Sequence, residues 1–205
     1  IVSTAGIVVG VAGATDSRSA IATVGVAGLV AGAVSMALGE FVSVSTQRDT
    51  ERAQLALEMR ELAEMPDQEL AELEQIYRDK GLSAETARVV AKELTAHDAL
   101  AAHLDAELHL DPDALTNPTH AAIASAISFT LGALLPLLAI LVPGPSWRVP
   151  VTMLAVLAAL ALAGATSARL GGAPVRRAVL RVILGGTAGL LFTYMVGSLL
   201  GAAIG

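Results

Sequence analysis

The chain has 205 residues, of which 54% are hydrophobic and only 16% charged, with 19 acids against 13 Lys plus Arg. This is too apolar for an ordinary soluble domain and points to a membrane protein. Aromatic content of 3% and a net charge of −6 argue against nucleic acid as a partner, and zero cysteines exclude disulfides, thiolate metal sites and a Cys nucleophile.

The first apolar run, Ile1 to Thr15, starts without Met or a basic n-region, so it reads as the second half of a spanning helix rather than a signal peptide. Four further runs, Ser19 to Gly39, Ala114 to Trp147, Val149 to Ala168 and Val182 to Gly205, lack Asp, Glu, Lys and Arg. Each reaches the roughly 20 residues needed to cross a bilayer. The expectation is an all-α membrane protein with five transmembrane helices, the first truncated. Gly, Ala and Ser recur at three- and four-residue steps in these runs, which lets helix backbones approach closely in lipid and suits a subunit interface.

Between Gln47 and Asp113 lie 17 of the 19 acids and 7 of the 13 basic residues. This acidic insert splits the chain into residues 1–46 (spans one and two), 47–113 (a helical insert) and 114–205 (spans three to five). Three helices are predicted in it. The first continues out of span two and stops at Pro66, which suits the first turn of the second helix. That helix ends at Gly81, and the third starts after Ser83, a good N-cap, and runs to Asp111-Pro112. Its apolar face is read as Val89, Val90, Leu94, Leu100, Leu104 and Leu108.

Short loops orient the frame. Arg169, Arg176, Arg177 and Arg181 between spans four and five mark the cytoplasmic side, which puts the insert there too. The loop between spans one and two offers only Asp16 and Arg18, and the next outer loop only Arg148.

Within the insert, Glu58 and Glu61 are three apart on the first helix, as are Glu69 and Glu72 on the second. Each pair shares a helix face, with Cβ atoms about 5–6 Å apart, where like charges repel. A divalent cation would reverse that cost, since carboxylates are ligands for hard and borderline metals. On the third helix His103 and Glu107 share a face, and an imidazole shifts preference toward transition metals. The plain alternative is a solvated acidic face. Glu51, Glu64, Glu74, Glu85 and Glu93 are assigned to it, and His97, His109 and His120 to the surface or to caps. Glu40 is the only acid within or bordering the four complete spans, a position that is costly for an ionisable group. Met36 lies one turn before it, so thioether and carboxylate together could hold a borderline cation such as Fe²⁺. The alternative places Glu40 at the water boundary and Met36 in the core.

Three segments, "AGAVSMALGEFVSVSTQRDTERAQLALE", "P-x-x-E-L-x-E-L-x-x-I-Y-x-x-x-G-L" and "AELHLDP", with "SFTLGALLPL" after them, resemble the vacuolar iron transporter family along essentially the whole chain. The resemblance implies a homodimer of five-span subunits that moves Fe²⁺, and often Mn²⁺, out of the cytosol in exchange for protons. It implies a cytoplasmic three-helix domain that binds metal through Glu58, Glu61, Glu69, Glu72 and Glu107, with Met36 in the pore. His103 stands where a plant member carries Met, and Gly28 where it carries Glu. The Asp of the family's span one would precede Ile1.

The sequence reading is therefore a proton-coupled Fe²⁺/Mn²⁺ transporter, with Zn²⁺ or Co²⁺ as further candidate ions. Glu58, Glu61, Glu69, Glu72, His103 and Glu107 would bind metal, and Met36 and Glu40 would line the pathway. Its rivals are a membrane-anchored metal sensor or buffer and a bundle that binds no metal. An enzyme is not expected, for there is no nucleophile–base arrangement, phosphate-binding loop or dinucleotide fingerprint. Scarce Lys beside abundant Ala and Arg suggests a GC-rich bacterium, hence its plasma membrane.

Overall fold

The structure is a computed structural model that describes residues 1–109 and 116–204. Seven α-helices account for nearly all of it: α1 (Val2–Ala14), α2 (Arg18–Glu64), α3 (Pro66–Asp79), α4 (Ala84–His103), α5 (Pro118–Leu141), α6 (Pro145–Leu170) and α7 (Val175–Ile204). A single π-helical turn, Leu104–Leu108, follows α4. No strand occurs among the described residues.

Four helices, α2, α5, α6 and α7, are long and apolar enough to cross a membrane, whereas α1 is apolar but has only 13 residues. The uncharged run from Ala114 to Trp147 is not one helix. It breaks after Leu141, and Pro145 opens α6 at a first-turn position where its missing N–H costs nothing. Arg148, read from sequence as a loop residue, is therefore inside α6, and it is buried. The predicted end of the insert at Asp111-Pro112 and Asp113 lies outside the described residues.

The chain forms two compact units, one of Ile1–Gly39 with Ala122–Gly205, the other of Glu40–Ala121. The core of the first unit is aliphatic: Val8, Val9, Ile21, Leu137, Ile140, Val156 and Leu190 are buried together. Here α1 packs chiefly on α7. The approach is close because glycines face backbone: a Cβ on Gly197 would collide with the carbonyl of Gly10, and one on Gly201 would sit 2.7 Å from Ala14 Cα.

In the second unit α3 packs on α4 around Leu73, Ala91, Ala102 and Ala106, with Leu70, Ile76, Tyr77 and Leu94 at the margin. Alanine at three of the four buried positions keeps the helices close. The local signals act as the sequence suggests. Pro66 opens α3, and the Ser83 hydroxyl accepts from the Thr86 N–H at 3.2 Å. Gly81 takes φ +101, a value that other residues rarely adopt. One reading is corrected: Val89 is half exposed, and the apolar residues that α4 buries are Ala87, Ala91 and Ala102, with Leu94 packed at the margin.

Candidate metal centre

Three helices each deliver one side chain to a single buried point. Glu58 comes from the last part of α2, Glu69 from the first turn of α3 and His103 from the end of α4. Their relative exposures are 3%, 5% and 0%, so water cannot satisfy them. One ligand atom from each lies within 4.8 Å of the others. His103 Nδ1 is 3.0 Å from Glu58 Oε1 and 3.7 Å from Glu69 Oε2, with Glu107 Oε2 at 3.9 Å.

How His103 reaches this point is decided by a break in α4. Asp98 leaves the helical region at φ −158, ψ 98, and its carboxylate accepts from the Ala101 N–H at 3.0 Å. Asp98 thus serves as an N-cap in mid-helix and starts a short segment in a new direction. That segment runs into the π turn, which ends at His109 with φ 52. His109 Nδ1 donates to the Asp105 carbonyl at 2.8 Å, and Lys80 Nζ donates to the Ala106 carbonyl at 3.3 Å. Both bonds anchor the turn that carries Glu107.

Crowding raises the proton affinity of the carboxylates. Burial first, and then repulsion from Glu107, Glu69, Glu61 and Glu72, pushes Glu58 up to about 7. Glu69 and Glu107 are also raised, mainly by burial and then by Glu72, with His103 acting in the opposite direction. Glu61 and Glu72 therefore act electrostatically on the buried group. Glu61 is partly exposed and Glu72 exposed.

The donors are also unsatisfied. His103 Nδ1 and Nε2 and Glu58 Oε1 are buried without a hydrogen-bond partner, for the short His103–Glu58 distance lacks hydrogen-bond alignment. Buried polar atoms left in this state cost free energy. Two carboxylates and an imidazole converging on a dry point form a donor set suited to a divalent transition metal, with Glu107 in reach as a fourth ligand.

The remaining candidates lie elsewhere. Met36 and Glu40 are both exposed on α2, and Ser125 Oγ donates to the Met36 carbonyl at 3.5 Å. His97, His109 and His120 are exposed, as are Glu64, Glu85 and Glu93. Asp98 is the contributor that sequence reasoning missed. Its signal was an Asp three residues before a helical N–H, inside an otherwise continuous helical pattern.

Known proteins resemble this chain along most of its length. A vacuolar iron transporter of Acanthamoeba castellanii is 37% identical over 187 residues, covering 91% of this chain and 72% of that protein. Vacuolar iron transporter homolog 2.1 of Arabidopsis thaliana is 33% identical, covering 99% of this chain and 77% of its own. Vacuolar iron transporter homolog 1 of Oryza sativa subsp. japonica is 37% identical, covering 98% and 69%. The family is one of transporters, not enzymes. With the VIT family matched across residues 1–198, this chain belongs to that family.

Proposed function

We propose that this protein carries Fe²⁺ out of the cytosol, with Mn²⁺ as a second cargo, in exchange for protons. The observation that carries the reading is the buried convergence of Glu58, Glu69 and His103, in which the unpartnered Glu58 Oε1 and His103 ring nitrogens suit a divalent ion. Family membership and relatives named as iron transporters support it. In this reading the insert faces the cytoplasm and captures metal, with Glu61, Glu72 and Glu107 lowering the local potential. Five spans cross the membrane, with the apolar helix α1 as the first. Two copies form the working homodimer. Met36 and Glu40 are ligands along the pathway. The relatives' names place them at the vacuole, and the corresponding membrane in a bacterium is the plasma membrane.

Proton exchange follows from chemistry that both ions share. A metal and a proton compete for the same carboxylate lone pairs, so loading one expels the other. Glu58, titrating near neutral pH, is suited to that competition.

The test is Fe²⁺ and Mn²⁺ flux into proteoliposomes under an imposed pH gradient. Flux that follows the gradient and falls in Glu58→Gln and His103→Ala supports the proposal, and flux indifferent to the gradient refutes antiport. A membrane-anchored metal buffer is the second reading, favoured by how completely the trio is buried. It requires metal binding without flux, and Glu40→Gln would then leave the behaviour unchanged.

A further inference from the structure

A buried arginine lies in the first unit, among different helices. Arg148, in the first turn of α6, is 4% exposed. Its Nη1 donates to the Asp16 carbonyl at 3.0 Å, which ties α6 to the α1–α2 loop. The Thr152 hydroxyl donates to the Arg148 carbonyl at 2.7 Å and steadies that turn. Its Nε has no partner. Among the described residues, the guanidinium is paired with no carboxylate.

A buried unpaired cation is costly, and within a membrane protein it is retained for a use. Arg148 opens onto a cavity of about 400 Å³, also lined by Ser146, Tyr194, Met153, Pro145 and Asp16. The first turn of a 26-residue helix adds the positive end of its dipole at the same place. A guanidinium is a planar fork that matches phosphate oxygens in pairs.

We infer that this cavity binds a phosphate group, either the headgroup of a phospholipid or free inorganic phosphate, with Arg148 as its principal ligand and Ser146 and Tyr194 as hydroxyl donors. The site belongs to the first unit and the metal centre to the second, and it does not depend on the transport reading. Asp16 is the opposing charge: its exposed carboxylate borders the cavity and weakens anion binding.

The experiment uses the emission of Trp147, the only tryptophan of the chain, which neighbours Arg148. The 205-residue chain in a phosphate-free maltoside detergent is titrated with inorganic phosphate, with short-chain phosphatidylglycerol, and with a monoglyceride that lacks phosphate. Expected is a saturable shift with one or both phosphate probes and none with the monoglyceride. Affinity should fall at least ten-fold in Arg148→Gln and rise several-fold in Asp16→Asn. Saturation by phosphatidylglycerol alone assigns a lipid, and saturation by inorganic phosphate assigns a site open to the free anion. No saturable shift with either probe, or equal affinity in Arg148→Gln, overturns the inference. Should Arg148→Gln not fold, Asp16→Asn decides: tighter phosphate binding supports the site, and unchanged or weaker binding shows it wrong.

Discussion

His103 Nδ1 stands 3.0 Å from Glu58 Oε1, at a point where both side chains are almost wholly buried and neither has a hydrogen-bond partner for the facing atom. A close approach of two polar atoms without alignment leaves both desolvated and neither compensated. A cation between them and Glu69 would satisfy all three at once.

Metal affinity should therefore depend on each of the three helices separately. Glu58→Gln, Glu69→Gln and His103→Ala should each weaken Mn²⁺ or Co²⁺ binding by more than the roughly 10–100-fold that even a supporting residue contributes. Glu85→Gln, on an exposed position of α4, should leave it unchanged. Calorimetric titration of the detergent-solubilised chain measures this, and equal affinities across the set would contradict the centre.

Metal-free protein should lose local stability as pH rises. Glu58 is raised from 4.5 to about 7, so the folded state holds its proton more tightly than the unfolded chain. That contribution is complete below pH 4.5 and is lost as pH climbs through about 7. At about 1.4 kcal/mol per pH unit it amounts to on the order of 3 kcal/mol. Metal acts in the opposite sense, since it binds the deprotonated carboxylates that high pH supplies. Hydrogen exchange of α3 and α4 at pH 5 and pH 8, with and without Mn²⁺, should show the crossing, and Glu58→Gln should flatten the metal-free slope.

The break at Asp98 should matter to binding although Asp98 is not a ligand. Asp98→Ala removes the cap on Ala101 and should cost about 1 kcal/mol, while Asp98→Asn, which can still accept the bond, should retain most of it. If α4 straightens in Asp98→Ala, His103 is re-aimed and metal affinity falls with it. An unchanged affinity would mean that the packing of Ala102 and Leu104 alone sets His103.

At the contact of α1 with α7, Gly197→Val should destabilise strongly, because even a Cβ meets the Gly10 backbone. Gly189→Ala, four residues from the Thr193 contact and facing open space, should be tolerated. Thermal unfolding in detergent separates the two, with overpacking of this kind costing about 1–3 kcal/mol or more.

Much of this was legible along the chain because its causes are local. Uncharged runs long enough for a bilayer, Pro66 at a helix start, Ser83 as a cap and Gly81 at a left-handed turn depend on neighbours within a few residues. The i, i+3 spacing of Glu58 with Glu61, and of Glu69 with Glu72, likewise fixed that each pair shares a face.

Which member of each pair enters the centre could not be read that way. A helix face spans both residues, but only the crossing of α2, α3 and the broken end of α4 decides that Glu58 and Glu69 are buried while Glu61 and Glu72 remain nearer water. The same holds for Arg148. Its sequence neighbours suggest a loop, and only the packing of α6 against the α1–α2 connection buries it. Residue type and spacing set which groups can meet. Desolvation, which creates the metal centre's raised proton affinity and its unsatisfied donors, exists only once distant segments close over them.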